Sequence, residues 1–170
     1  EFSITIVSYP KNKGKGHALK KGFRKAIELG FEYALTIDSD GQHYPEDIPL
    51  LIDAIKKHPG SMIIGSRKLT SENVPGKNKF ANKFSNFWFR LQTHINLPDT
   101  QTGFRIYPLN KLYGLSLLTS RYEAELLLLV LAAWHNVPLL PVDIRVYYPP
   151  KEERISHFRP ALDFTRISIL

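Results

Sequence analysis

The sequence contains no cysteine. That excludes disulfide staples, thiolate catalysis and cysteine-ligated zinc, and it leaves the compartment open because cytosolic proteins need no cysteine. Nor does any apolar run approach the roughly 20 residues that a helical membrane span requires. The longest, residues 126–133, is followed closely by His135, Asn136 and Pro138, and it reads as a buried helix. The Gly-x-x-x-x-Gly-Lys-Ser/Thr spacing of a P-loop is absent, as is the Gly-x-Gly-x-x-Gly of a dinucleotide fingerprint. Internal repeats and low-complexity tracts are also missing. The chain has no signal segment and no initiator Met, opens in a strand-like run and stops at Ile169-Leu170 within a helical pattern, so it reads as part of something longer.

What is present is 170 residues, 43% hydrophobic and 12% aromatic, which suits one compact domain and not a disordered tail. Lys and Arg outnumber Asp and Glu by 23 to 16, a net charge of +7. Such a balance favours partners that carry phosphate or an anionic surface: nucleic acid, nucleotide-linked substrates or acidic lipid headgroups.

Strand-like and helix-like segments alternate through the first half, the pattern of an α/β sheet with helical crossovers. A strand is expected over residues 2–7. A helix follows in which Ala18, Leu19, Gly22, Phe23, Ala26 and Ile27 recur at helical spacing, with Gly30 as its stop. A second strand over 33–37 runs into Asp38. Pro45 suits a first helical turn, Glu46 and Asp47 suit its positive end, and Ile48, Leu51, Ile52 and Ile55 form the buried stripe. A third short strand, 62–64, ends in Gly65-Ser66-Arg67, and a polar loop with the turn signal Pro75-Gly76 leads to a helix over 80–95. There Phe80, Phe84, Phe87, Trp88 and Leu91 return to one side, a stripe that reads as core or, beside a basic loop, as a face for a membrane surface. Residues 99–105 read as a loop, 121–134 as an apolar helix and 138–148 as a strand. The globular unit is expected over 1–148, and residues 149–170 form a basic, Pro-containing segment before a final helix.

The strongest chemical signal is Asp38-Ser39-Asp40-Gly41-Gln42 at the end of a strand. Ligands of open α/β sheets bind beyond the carboxyl ends of strands, and two carboxylates one residue apart, followed by a Gly that permits a tight turn, suit a hard divalent cation. The same triplet also suits a solvated turn with helix-capping aspartates. Asn12-Lys13-Gly14-Lys15-Gly16 opens a helix and sets two lysines beside its positive end, an arrangement for phosphate or simply a glycine-rich turn. The histidines 17, 43, 135 and 157 have no metal-ligand spacing.

Four motifs occur in order: Asn12-Lys13-Gly14-Lys15-Gly16-His17-Ala18; Leu35-Thr36-Ile37-Asp38-Ser39-Asp40-Gly41-Gln42-His43 with Pro45-Glu46-Asp47; Gly65-Ser66-Arg67; and Asp99-Thr100-Gln101-Thr102-Gly103-Phe104-Arg105. Together they resemble the family 2 glycosyltransferases, particularly the branch similar to dolichol-phosphate mannosyltransferases and bacterial polyprenyl-phosphate sugar transferases. After residue 110 only an acidic helix, a Val-Pro strand and Ser156-His157-Phe158 resemble later landmarks. The resemblance implies a nucleotide-diphospho-sugar transferase fold of GT-A type, a Rossmann-like sheet with helices on both faces whose first strands are missing. It implies Mg²⁺ or Mn²⁺ on the diphosphate of a UDP- or GDP-linked sugar, with Asp38, Asp40 and Gln42 as metal ligands and Asp40 the direct one. Lys15, Gly16, Asp38 and Asp40 would bind the donor. Arg67 resembles an arginine that binds the acceptor phosphate, Lys77 and Lys79 resemble further basic contacts, and Arg105 either contacts substrate or braces its loop. Glu125, with Glu123 at the same helix start, resembles an acid that serves as base where the acceptor is a hydroxyl; acids there are also stabilised simply by the helix dipole.

The function so implied is metal-dependent, inverting transfer of a sugar to a polyprenyl phosphate, with peripheral association at the cytoplasmic face of a membrane. A lipid phosphate is already anionic and needs no strong base, whereas a saccharide or lipid hydroxyl, the alternative acceptor, does. A nucleic-acid-binding basic domain is the reading from another class; it requires basic and aromatic residues interleaved on one face, and the lysines of the first helix instead face away from its apolar stripe.

Overall fold

The computed structural model describes residues 4–68, 76–114 and 123–148. The first helix, α1 (Lys15–Glu28), is stopped as its sequence predicts: the Gly30 N–H bonds the Ile27 carbonyl and the Phe31 N–H bonds that of Ala26. Strand β1 (Tyr33–Thr36) follows, then a single 3-10 turn (Pro45–Asp47) that feeds α2 (Ile48–Lys57) and β2 (Met62–Arg67). Helix α3 (Gly76–Thr93), strand β3 (Arg105–Pro108), the short α4 (Leu109–Leu112), α5 (Glu123–Trp134) and β4 (Leu139–Ile144) complete the order.

The four strands form one sheet in the order β1-β3-β2-β4. β2 and β4 pair in parallel from Met62↔Leu139 to Arg67↔Ile144. β3 lies antiparallel between β1 and β2, with Arg105 opposite both Thr36 and Ile64. Successive side chains point to opposite faces, so Met62, Ile64 and Tyr107 join the apolar residues of α1, α3 and α5, while Ile63, Ile106 and Ile144 meet Leu51 of α2. Helices therefore cover both faces, as the fold class requires. The carboxyl ends of β1, β2 and β4 share one edge with the amino end of antiparallel β3. Asp38, Arg67, Arg145 and the 99–105 segment all meet at that edge, although they lie far apart in sequence.

Several sequence expectations are corrected. The strand expected over 2–7 is absent over its described part: Ile4 and Ile6 are 86% and 85% exposed and pair with no strand. A strand persists only against a partner, and β1 pairs only with β3 among the described residues. Residues 105–108, read partly as loop, form a strand because β1 pairs along all four and β2 holds Arg105 and Ile106 from the other side. The aromatic stripe of α3 is split. Of its members Phe84 and Trp88 are partly buried and pack against the core, whereas Phe80, Phe87 and Leu91 are 55–60% exposed; Phe89, outside the stripe, is fully buried, as are Ala81, Asn82 and Ser85. The inward face of α3 is partly polar because it holds a loop, described below. The 149–170 segment, with Ser156-His157-Phe158, and the Pro75 turn signal lie outside the described residues, as does the side chain of Lys77.

Of the stripe read on α2, Leu51 is wholly buried and Ile52 is 37% exposed. Leu51→Ala is expected to cost about 2–5 kcal/mol, as for other buried leucines, and Ile52→Ala clearly less. Denaturant unfolding of the two variants measures the difference; equal losses would mean that α2 does not seat on the sheet through Leu51.

Candidate functional site

At the shared edge the ammonium of Lys15, in the first turn of α1, lies 2.7 Å from Asp38 Oδ1 and 2.9 Å from Glu125 Oε2. Three elements thus converge on one cation. Helix α1 starts at Gly14 with no side-chain cap and no acid in its first turn, so its positive end is left to the site. Gly103 sits against the pair: a Cβ there would strike the Asp38 carboxylate and stand 2.7 Å from Lys15 Nζ. The glycine of the Gly103-Phe104-Arg105 motif is therefore a matter of close approach. Burial opposes the charge of Lys15, but Glu125 and Asp38 outweigh it and raise its pKa. Burial pushes the Glu125 carboxyl up, against the pull of Arg105 and Lys15. Glu125 is 5% exposed, and its Oε1 is buried with no hydrogen-bond partner.

Two residues on, the chain turns outward. Gly41 adopts φ 74°, which a side chain would disfavour, and Asp40 Oδ1 accepts the Gln42 N–H at 3.0 Å across this turn. Asp40 is exposed, unlike Asp38, whose carboxylate is engaged by Lys15. The loop then returns along the end of β4: His43 forms an isolated bridge with Val146, and the Tyr147 N–H donates to the Gln42 carbonyl at 2.8 Å.

Arg67 and Arg105 are both held by fixed partners. Arg67 grips Asp99 with Nε and Nη2 at 2.6 and 3.0 Å, its own N–H joins at 3.2 Å, and Asp99 is wholly buried. Arg105 as an acceptor contact is corrected. It is 0% exposed, with Nη1 on the Glu125 carbonyl at 2.9 Å and Nη2 on the Thr100 carbonyl at 2.8 Å, so it braces its loop against α5. The sequence reading missed the partners that hold these groups. Asn82 and Asn86 of α3 both donate to the Pro98 carbonyl, Asn86 Oδ1 accepts from the Thr100 N–H and hydroxyl, and Ser85 bonds Thr100 at 2.7 Å. Uncharged polar residues three and four apart on the face of α3 that also carries Ala81 and Phe89 are the signal that identifies them.

The donor set suits a divalent ion held mainly by its ligand. Among the described residues no group of three or more His, Asp or Glu is arranged around a cation. An ion here would meet the protein through Asp40, a hard oxygen donor at a solvent-facing turn, with its other positions left to phosphate oxygens and water. Lys15, Asp38, Asp40 and Glu125 are brought together at the edge with Gly16 in the adjoining helical turn; Gln42 follows Asp40 directly, and Arg67 stands at the end of β2.

The family described as glycosyl transferase family 2 matches residues 1–113. The chain is 33% identical over 150 residues to UDP-N-acetylglucosamine--dolichyl-phosphate N-acetylglucosaminyltransferase of Methanococcus voltae, covering 85% of this chain and 60% of that protein. It is 29% identical over 118 residues to undecaprenyl-phosphate mannosyltransferase of Micrococcus luteus, covering 68% and 48%. The chain thus spans about half of the length of these relatives. Among solved structures, glucosyl-3-phosphoglycerate synthase of Mycobacterium tuberculosis in complex with Mn²⁺, UDP and glucosyl-3-phosphoglycerate matches with TM-score 0.59 at 16% identity, over 95% of this chain and 54% of that one. At that identity the likeness speaks for the fold.

A carboxyl whose pKa is higher folded than unfolded binds its proton more tightly in the folded state. Its contribution to stability is therefore full below the unfolded value of about 4.5 and is lost as pH rises through the folded pKa. Relative to Glu125→Gln, the wild-type protein is expected to lose stability as pH rises from 4.5 toward neutrality, as measured by denaturant unfolding. A difference between the two that stays flat with pH would mean that Glu125 ionises as freely folded as unfolded.

Proposed function

The chain belongs to glycosyl transferase family 2, and from that premise we propose that it serves metal-dependent, inverting transfer of a sugar from a UDP- or GDP-linked donor to a polyprenyl phosphate. One observation carries the reading: the Lys15 ammonium at the open end of α1 pairs with Asp38 just beyond the carboxyl end of β1, and the exposed Asp40 turn follows two residues on. A diphosphate needs both kinds of partner. Lys15 and the N–H groups of the first helical turn, Gly16 included, bind its oxygens, while Asp40, with Gln42 beside it and Asp38 behind, holds the cation. Mg²⁺ or Mn²⁺ bound there supplies neutralisation of the charge that builds on the leaving phosphate. Arg67, whose Nε and Nη2 are held by Asp99, offers the acceptor phosphate its charge and its remaining guanidinium N–H groups at the same edge. The names of the relatives, which transfer sugars to dolichyl or undecaprenyl phosphate, favour this acceptor over a hydroxyl. Glu125 supports the hydroxyl alternative only so far as its unpartnered Oε1 could take a proton; it is buried and paired with Lys15, which suits a structural anion better than a base.

The outward face of α3 supports peripheral membrane association. Phe80, Phe87 and Leu91 are exposed in a row, and Lys83 and Arg90 flank them on one side, the make-up of a helix that lies in an anionic interface. Among the described residues no helix is long and apolar enough to cross a membrane.

Calorimetric titration of UDP and of GDP into the intact protein, with and without Mn²⁺, is expected to give binding that requires the metal and that Asp40→Ala abolishes. Binding to neither nucleotide, or unchanged binding by Asp40→Ala, would sink the assignment. Cosedimentation with vesicles containing anionic lipid is expected to fall sharply for a Phe87→Ser/Leu91→Ser variant and to weaken with salt; equal sedimentation of variant and wild type would remove α3 from the membrane face.

A further inference from the structure

The loop that carries Asp40 and Gln42 is tied from behind by Arg145, which neither the motifs nor the site assignment uses. Asp47 ends the 3-10 turn after this loop and is 2% exposed. Its two oxygens take three donors from one residue: the Arg145 N–H at 2.7 Å, Nε at 2.9 Å and Nη2 at 2.7 Å. The guanidinium also lies over the Tyr44 ring, 5.0 Å from its centre. Arg145 is the first residue past β4, so this grip fixes where the chain goes next. Val146 then bridges His43, and Tyr147 donates to the Gln42 carbonyl. Residues 42–47 and 145–147 are thus fastened at three successive levels, and the loop's free end is only the turn at Asp40 and Gly41.

We propose that Arg145 is a positioning residue of the donor site: through Asp47 and Tyr44 it sets the backbone of residues 42–44 and so aims the Asp40 turn at the metal and diphosphate. This rests on the donor-site reading above. Arg145 touches neither Asp40 nor any group expected to meet the donor, and its effect passes through the loop. A planar fork with a backbone N–H on one carboxylate is geometrically strict, so Lys at this position would keep the charge and lose the aim. Groups that orient metal ligands from behind commonly change metal affinity about tenfold to a hundredfold when removed.

The test uses the intact protein and the variants Arg145→Ala, Arg145→Lys, Asp47→Asn and the Arg145→Ala/Asp47→Asn double. Amide hydrogen exchange without ligand reads the loop itself, and titration with UDP and with GDP, with and without Mn²⁺, reads the donor site. The expected result is faster exchange at residues 42–44 and 147 and about tenfold weaker nucleotide binding in the presence of Mn²⁺. Any metal-free affinity should stay unchanged, Arg145→Lys should be intermediate, and the double variant should be no worse than the worse single. Exchange at the wild-type rate in Arg145→Ala and Arg145→Lys would overturn the proposal, as would equal losses with and without Mn²⁺ or additive losses in the double variant. Wild-type protein that binds neither nucleotide with Mn²⁺ overturns the donor-site reading, and the proposal with it. That failure appears before any variant is made, so it is distinct from a failure of Arg145 alone.

Discussion

The geometry of the site depends on one ammonium group. Lys15 stands at the start of α1, Asp38 beyond the end of β1 and Glu125 in α5, and among the described residues no backbone hydrogen bond joins these three places. A carboxylate as buried as Glu125 must have a cation or take up a proton, and removing one partner of such a pair leaves an expensive uncompensated charge. The ion triad therefore adds to the core packing of α1 against α5 a polar link that also holds the segment beyond β1. Gly103 lets the chain pass close beside it, and Arg105 locks that passage to α5 from beneath. The close approach and the brace lie within three residues of one motif because they serve the same junction.

A second layer of constraint runs outward from it. The polar inward face of α3 holds residues 98–100, Asp99 in that segment holds Arg67, and Arg67 closes the end of β2. Helix α3 consequently has two jobs that compete for its surface. Turning Asn82, Ser85 and Asn86 toward the loop leaves too little inward room for all of its aromatics, so Phe80 and Phe87 face out. The exposed apolar row is thus the geometric counterpart of the buried polar one. The same helix links the arginine at the sheet edge to whatever covers its outer face.

Much of this was legible in the sequence. Periodicity located α1, α2, α3 and α5, glycine marked the end of α1, and the ordered motifs identified the family before any contact was known. What escaped was set by partners distant along the chain. Residues 105–108 are a short run closed by Pro108 and become β3 because β1 pairs along all four and β2 adds Arg105 and Ile106 on the other side. The opening run 2–7 has strand signal and no such partner in its described part. Arg105 was half legible: its motif announced importance, but whether a guanidinium faces substrate or two carbonyls depends on where Thr100 and Glu125 come to lie. Asp47 was read as a helix-dipole acid, because its partner Arg145 stands 98 residues further on.

The charges at the edge also explain why a metal and a diphosphate would be taken together. Lys15 already faces two carboxylates, so the triad is close to saturated and slightly negative; it has little attraction left for a bare phosphate. Asp40 stands outside the triad as a single exposed carboxylate, too few oxygens to hold a divalent ion strongly. Neither feature makes a strong site alone. On the proposed reading, a cation held by Asp40 would satisfy that carboxylate, and a diphosphate bound with it would offer Lys15 a third anionic partner. Each would then favour the other through charge, the physical basis expected of a donor site that works with its ion.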